Sequence, residues 1–82
     1  MQAQVILEYD DEKTTEAIAK AVSPDNLKTP KGMSVKTTTD SKKVVTSINY
    51  DGKFLTFVAT IDDLLFSAST AERTIQMTKR LE

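Results

Sequence analysis

An α+β fold follows from three features of this 82-residue chain: a threonine-rich segment with period-two alternation, helical segments on either side of it, and turn residues in between. The expected order is strand, helix, two or three strands, long helix, written β-α-β-β-(β)-α. That order builds an antiparallel sheet of three to four strands with two helices packed on one face. Residues 1–82 read as a single domain, with no internal repeat and no low-complexity tract.

Residues 3–9 are rich in strand formers and alternate loosely, which predicts a first strand. Asp10-Asp11-Glu12 suits a helix start, and residues 15–22 continue as a helix with Ala17, Ile18, Ala21 and Val22 inward. Ser23-Pro24 stops it, because proline disfavours helical geometry in the residue before it. Asp25-Asn26, Pro30 and Gly32 then make a turn-rich connection. Residues 33–39 set Met33, Val35, Thr37 and Thr39 on one face against Ser34, Lys36 and Thr38, the pattern of a strand exposed on one side. Asp40-Ser41-Lys42 is a turn, and residues 43–50 are the antiparallel partner. Asp51-Gly52 is read as a hairpin turn into a fourth, short extended piece at residues 54–58. The alternative is that the long helix begins earlier, since Phe57, Ile61, Leu64 and Ala68 fall at helical spacing.

The last helix is the most distinctive element. In Ala59-Thr60-Ile61-Asp62-Asp63-Leu64-Leu65, Thr60 and Asp63 have the spacing of a capping box, and Asp62 with Asp63 would complement the helix dipole. Ile61, Leu64, Leu65, Ala68, Ala71 and Ile75 form one apolar stripe, while Phe66, Met77 and Leu81 lie off it. One small sheet does not cover both, which predicts that the helix is shared with another chain.

Composition strengthens that expectation. A domain of this size is near the lower limit for a self-sufficient core. Apolar residues are 39% of the chain and aromatics only 6%, with no Trp, so the core is thin and aliphatic. Without cysteine there is no disulfide, thiolate zinc site or thiol nucleophile. Subunit association is the remaining common way to bury more surface. The net charge of −1 gives no global attraction to nucleic acid or anionic membrane. No run reaches the roughly 20 apolar residues of a membrane span. The residues from Met1 to Glu8 lack the basic start and apolar run of a signal peptide. A cytoplasmic location is expected.

The inventory of reactive groups argues against an enzyme. There is no histidine to exchange protons near neutral pH. Asp62 and Asp63, as helix neighbours, point about 100° apart and are read as capping groups rather than a metal or acid–base pair. The acidic cluster of Glu8, Asp10, Asp11, Glu12 and Glu16 is read as a solvated helix start. Gly32 and Gly52 belong to no phosphate loop. No cofactor or metal is expected. Lysines do crowd the middle of the chain, and a salt-dependent contact with a phosphate backbone is the alternative to simple solvation there. The Gly-x-x-Gly clamp of KH domains and the paired aromatics of RRM domains are both absent.

Three segments stand out in order: Ala21-Val22-Ser23-Pro24-Asp25-Asn26, then Thr29-Pro30-Lys31-Gly32-Met33, then Phe57 through Leu65 followed by Ala71-Glu72. Together they resemble the small dimerisation subunit of the KEOPS complex, a family also grouped with the CTAG proteins. Their order and spacing cover nearly the whole chain, and its length is similar to that of archaeal members. Phe57-Val58 departs from the expected Leu and basic residue, so no phosphate contact is carried over at that point. The resemblance implies a non-catalytic subunit that homodimerises and docks the KEOPS transferase subunit, and through it the kinase-like ATPase subunit. That complex makes N6-threonylcarbamoyladenosine on tRNA. The implied partner-binding residues are Ile61, Leu64, Leu65, Phe66, Ala68, Ile75 and Met77, with Ile18 and Val22 of the first helix. A weak or indirect tRNA contact would involve Lys28, Lys31, Lys36, Lys42, Lys43 and Arg73. A free-standing RNA-binding module is the alternative. The residues leave open which strand edge would form the dimer and which helix face meets the transferase rather than the sheet.

Overall fold

The computed structural model describes residues 1–24 and 29–81, with side chains through Met77. Five elements follow one another: β1 (Gln2–Glu8), α1 (Glu12–Ala21), β2 (Ser34–Asp40), β3 (Lys43–Asn49) and α2 (Phe54–Leu81). The strands form one antiparallel sheet in the order β1-β3-β2. The sheet has three strands, the lower of the two numbers expected.

β3 sits in the middle because both of its edges are paired, and its alternation sets the two faces. Val44, Thr46 and Ile48 are buried, whereas Lys43, Ser47 and Asn49 are exposed. The register places Ala3 and Val35 beside Ile48, Val5 and Thr37 beside Thr46, and Leu7 and Thr39 beside Val44. These rows make the inner face on which the helices lie. The β2–β3 hairpin closes through Ser41-Lys42, with Ser41 at φ 59°, the positive value that primed hairpin turns require.

α1 is capped at Asp11, whose Oδ1 accepts from the Thr14 backbone N–H at 2.7 Å. The acidic start is where the sequence places it, although the first turn begins at Glu12. Ile18 and Val22 are fully buried, and Ala21 half-buried. Ala17 is exposed, contrary to expectation, and Thr15 takes an inward position instead. Thr15 enters the core without a polar penalty because its hydroxyl donates to the Asp11 carbonyl at 2.8 Å. Thr37 on β2 donates to the Val22 carbonyl at 3.3 Å, so the Thr46 hydroxyl 2.9 Å away donates to Thr37. That chain satisfies buried Thr46 and ties the end of α1 to the sheet.

α2 corrects the expected fourth strand. Residues 54–58 are its first turns, not an extended piece, and Asp51-Gly52 leads into a helix rather than a hairpin. Gly52 lies against the Tyr50 ring, where a Cβ would overlap it. The first backbone bond runs from the Phe57 N–H to the Lys53 carbonyl at 3.1 Å. Phe57 is buried in phase with Leu64 and Ala68, and that tertiary contact outweighs the strand preference of Phe-Leu-Thr-Phe-Val. Thr60 is therefore no cap. It is buried within the helix and donates to the Thr56 carbonyl at 3.1 Å, while Asp62 and Asp63, two and three residues further on, are exposed.

The core comprises Ile18, Val22, Met33, Val44, Ile48, Phe57, Leu64 and Ala68, walled by half-buried residues such as Val5, Leu7, Val35, Ile61 and Ile75. Phe57 is its one buried aromatic. The Asp25-Asn26 turn and Lys28 lie outside the described residues, as does the side chain of Leu81.

Candidate partner-docking surface

α2 has 28 residues, about 42 Å at 1.5 Å per residue, in a molecule whose longest extent is 45 Å. Phe57, Thr60, Leu64 and Ala68 are buried, with Ala71 and Ile75 half-buried in the same row. Spacings of three and four residues keep that row on one face, toward the sheet and α1. An amphipathic helix would be polar elsewhere. This one is not.

Among the described residues, five large apolar side chains of α2 are exposed. Phe54 is 64% exposed, Leu55 79%, Leu65 44%, Phe66 74% and Met77 64%. Helical phase sorts them into two rows. Phe54 and Leu65, with half-buried Val58 between them, border the buried row. Leu55, Phe66 and Met77 lie on the far side, opposite the sheet. A row of this extent on a small domain is the kind of surface that interaction partners cover.

The expected partner-binding residues separate accordingly. Ile18, Val22, Leu64 and Ala68 belong to the protomer's own core, and Ile61 and Ile75 pack at its margin. Leu65, Phe66 and Met77 remain accessible. Sequence reasoning missed Phe54 and Leu55, because a strand at residues 54–58 hides their place on the helix. The signal was present in the eleven-residue steps from Leu55 to Phe66 to Met77.

The basic residues do not converge. Lys36 and Lys43 point to the outer face of the sheet, and Lys42 lies in the β2–β3 turn. Lys43 stands in register between Glu8 and Asp40, which offset its charge. Lys36 instead has Ser47 beside it and Gln4 beyond, in a shallow concavity that Gln2, Ser34 and Asn49 also line. Lys31 is exposed before β2, and Arg73 is exposed on α2, across the molecule from that outer face.

At the opposite end of the sheet, the Tyr9 hydroxyl donates to Glu72 Oε2 at 2.9 Å and ties the end of β1 to α2. Burial pushes the Tyr9 phenol above its ordinary pKa of 10, and the neighbouring Glu72 carboxylate adds to the rise. Glu8, Asp10 and Asp11 share that cleft. Among the described residues no group of acidic side chains is arranged to hold a metal ion.

Phe54–Met77 is also long and apolar enough to cross a bilayer by length and composition, which the sequence reading did not anticipate. Its inner row is nonetheless part of this fold's core. Asp62 and Asp63 interrupt the segment, each at a cost of about 2.5–3.5 kcal/mol at a bilayer centre. No protein-family model matches this chain, and no curated protein matches it.

Proposed function

We propose that this chain is a non-catalytic assembly subunit of the KEOPS tRNA-modifying complex, cytoplasmic and homodimeric, which docks the threonylcarbamoyl transferase subunit. The observation that carries the reading is the exposed apolar surface of α2, above all Leu65, Phe66 and Met77. A helix that already fills its own core and still presents large apolar groups is suited to lie in a groove or against helices of a partner. Methionine adapts to an irregular counterpart surface. Among the described residues β1 and β2 each leave one edge unpaired, so a second copy can extend the sheet and remove an aggregation hazard. The role is positional: the subunit aligns larger ones, and lysines guide the tRNA backbone weakly.

The test is the mass of the pure protein in solution, alone and mixed with the transferase subunit. The expected result is a dimer that forms a larger complex on mixing. Leu65→Asp and Phe66→Asp should abolish co-elution while leaving the circular dichroism spectrum intact, because both side chains are exposed. A monomer that ignores the transferase at high concentration would overturn the reading.

The outer sheet face supports a second reading, a free-standing RNA-binding module. Lys36, Gln2, Gln4, Ser47 and Asn49 offer donors in an open, shallow concavity. Tight salt-dependent binding of tRNA by the isolated protein, reduced by Lys36→Glu, would favour it over docking.

A further inference from the structure

The far side of α2 has an order that partner docking does not require. Leu55, Phe66 and Met77 are eleven residues apart in each step. Eleven residues are about three turns and 16.5 Å, with a drift of only about 20°, so the three form a straight row. Between them on the same face lie Ala59 and Asp62 on one side of Phe66, and Arg73 on the other. We propose that α2 pairs antiparallel with α2 of a second copy, about a two-fold axis at Phe66.

The row is complementary to itself in that orientation and in no parallel one. With Phe66 on the axis, Leu55 of each copy faces Met77 of the other. Arg73 faces Ala59, whose small side chain leaves room for the long one. Asp62 is then three residues along the helix from that point, about 4.5 Å, within reach of the Arg73 guanidinium. The two-fold axis repeats the ion pair, so each copy supplies one acid and one base. Asp62 and Arg73 are both exposed, and neither forms an ion pair with another described residue of its own chain. A parallel arrangement would set Asp62 against Asp62 and Arg73 against Arg73. Like charges in contact oppose it.

The contact is narrow. From Leu55 to Met77 it is about 33 Å long, and a helix is about 10 Å wide. That footprint falls well below the roughly 800 Å² per partner of a standard stable interface. The pair is therefore weak and concentration-dependent, and a larger partner on the same row displaces it. It is a property of this chain alone and stands without the docking reading.

Sedimentation of the pure protein over a range of concentration tests it. Association should weaken at least tenfold in Arg73→Asp and in Asp62→Arg, and recover in the double variant that exchanges the two charges. A sheet-edge dimer is indifferent to all three. The chain has no cysteine, which permits a direct check of register. Under mild oxidation, Leu55→Cys mixed with Met77→Cys should cross-link to each other, and neither should cross-link to itself. Association unchanged by the single charge variants, a double variant as weak as the singles, or self-cross-linking of Leu55→Cys would each overturn the proposal. Transferase docking is measured separately by co-elution, so either idea fails without the other.

Discussion

α1 and α2 lie on the same face of the same sheet, yet they balance apolar surface against cover in opposite ways. α1 is ten residues long and capped by Asp11, with Ile18 and Val22 inward and Glu12, Lys13, Glu16 and Lys20 in solvent. Its greasy surface matches what the sheet hides. α2 has nearly three times the length and no acidic residue in its first turn, and it carries large apolar side chains on its outer side as well as its inner one. The difference teaches that burial here is set by geometry and not by residue type. A leucine at position 64 is core and a leucine at position 55 is surface, on one helix and nine residues apart. What the sheet leaves uncovered on α2 is the part of the molecule free to do something else.

The comparison breaks most easily at those two leucines. Leu64→Ala should cost about 2–5 kcal/mol in chemical denaturation, since it removes a fully buried side chain from a thin core. Leu55→Ala should stay within about 0.5 kcal/mol under dilute conditions. Equal losses at both positions would mean that the outer row is structural after all.

The helix starts sharpen the contrast by a smaller amount. Asp11→Ala should destabilise the fold by about 1 kcal/mol, through loss of the bond to the Thr14 N–H. Asp63→Ala should change stability by no more than about 0.5 kcal/mol, because Asp63 caps nothing and lies exposed on α2. A loss at Asp63 as large as at Asp11 would restore the capping box that the sequence suggested.

The smallest effect is a pH dependence at the tie between β1 and α2. Tyr9 has a higher pKa in the folded state than its unfolded value of 10. Its contribution is therefore fully present below pH 10 and declines as the pH rises beyond that value, where the unfolded chain ionises first. Thermal melts of wild type and Tyr9→Phe should diverge in slope above pH 10, the variant losing less. Parallel curves would show that neither burial nor Glu72 raises the phenol's pKa in the folded state.

Much of the fold was legible in the chain because its signals are local. Thr37, Thr46 and their valine and isoleucine neighbours alternate in a way only a half-buried sheet uses, and Asp11 and Pro24 mark the ends of α1. The failures lie where two local codes overlap. Residues 54–58 contain Phe, Thr and Val, which favour strands, in a phase that also continues the helix. Thr60 and Asp63 have cap spacing inside a helix that had already begun six residues earlier. The same misreading hid Leu55 and Phe54 from the list of candidate contacts and placed core residues such as Leu64 and Ala68 on it.

By itself the sequence determined the class of fold, the antiparallel hairpin of β2 and β3, and the presence of more apolar helix than a small sheet can shelter. Each rests on short-range chemistry: period-two alternation, caps, turns and composition. Tertiary structure decided where α2 begins and which of its sides is core. Phe57 joins the core that includes Ile48 and Leu64 only when the helix extends back to it, and no local propensity in the chain encodes that burial. Once that side is taken, helical phase turns Leu55, Phe66 and Met77 the other way.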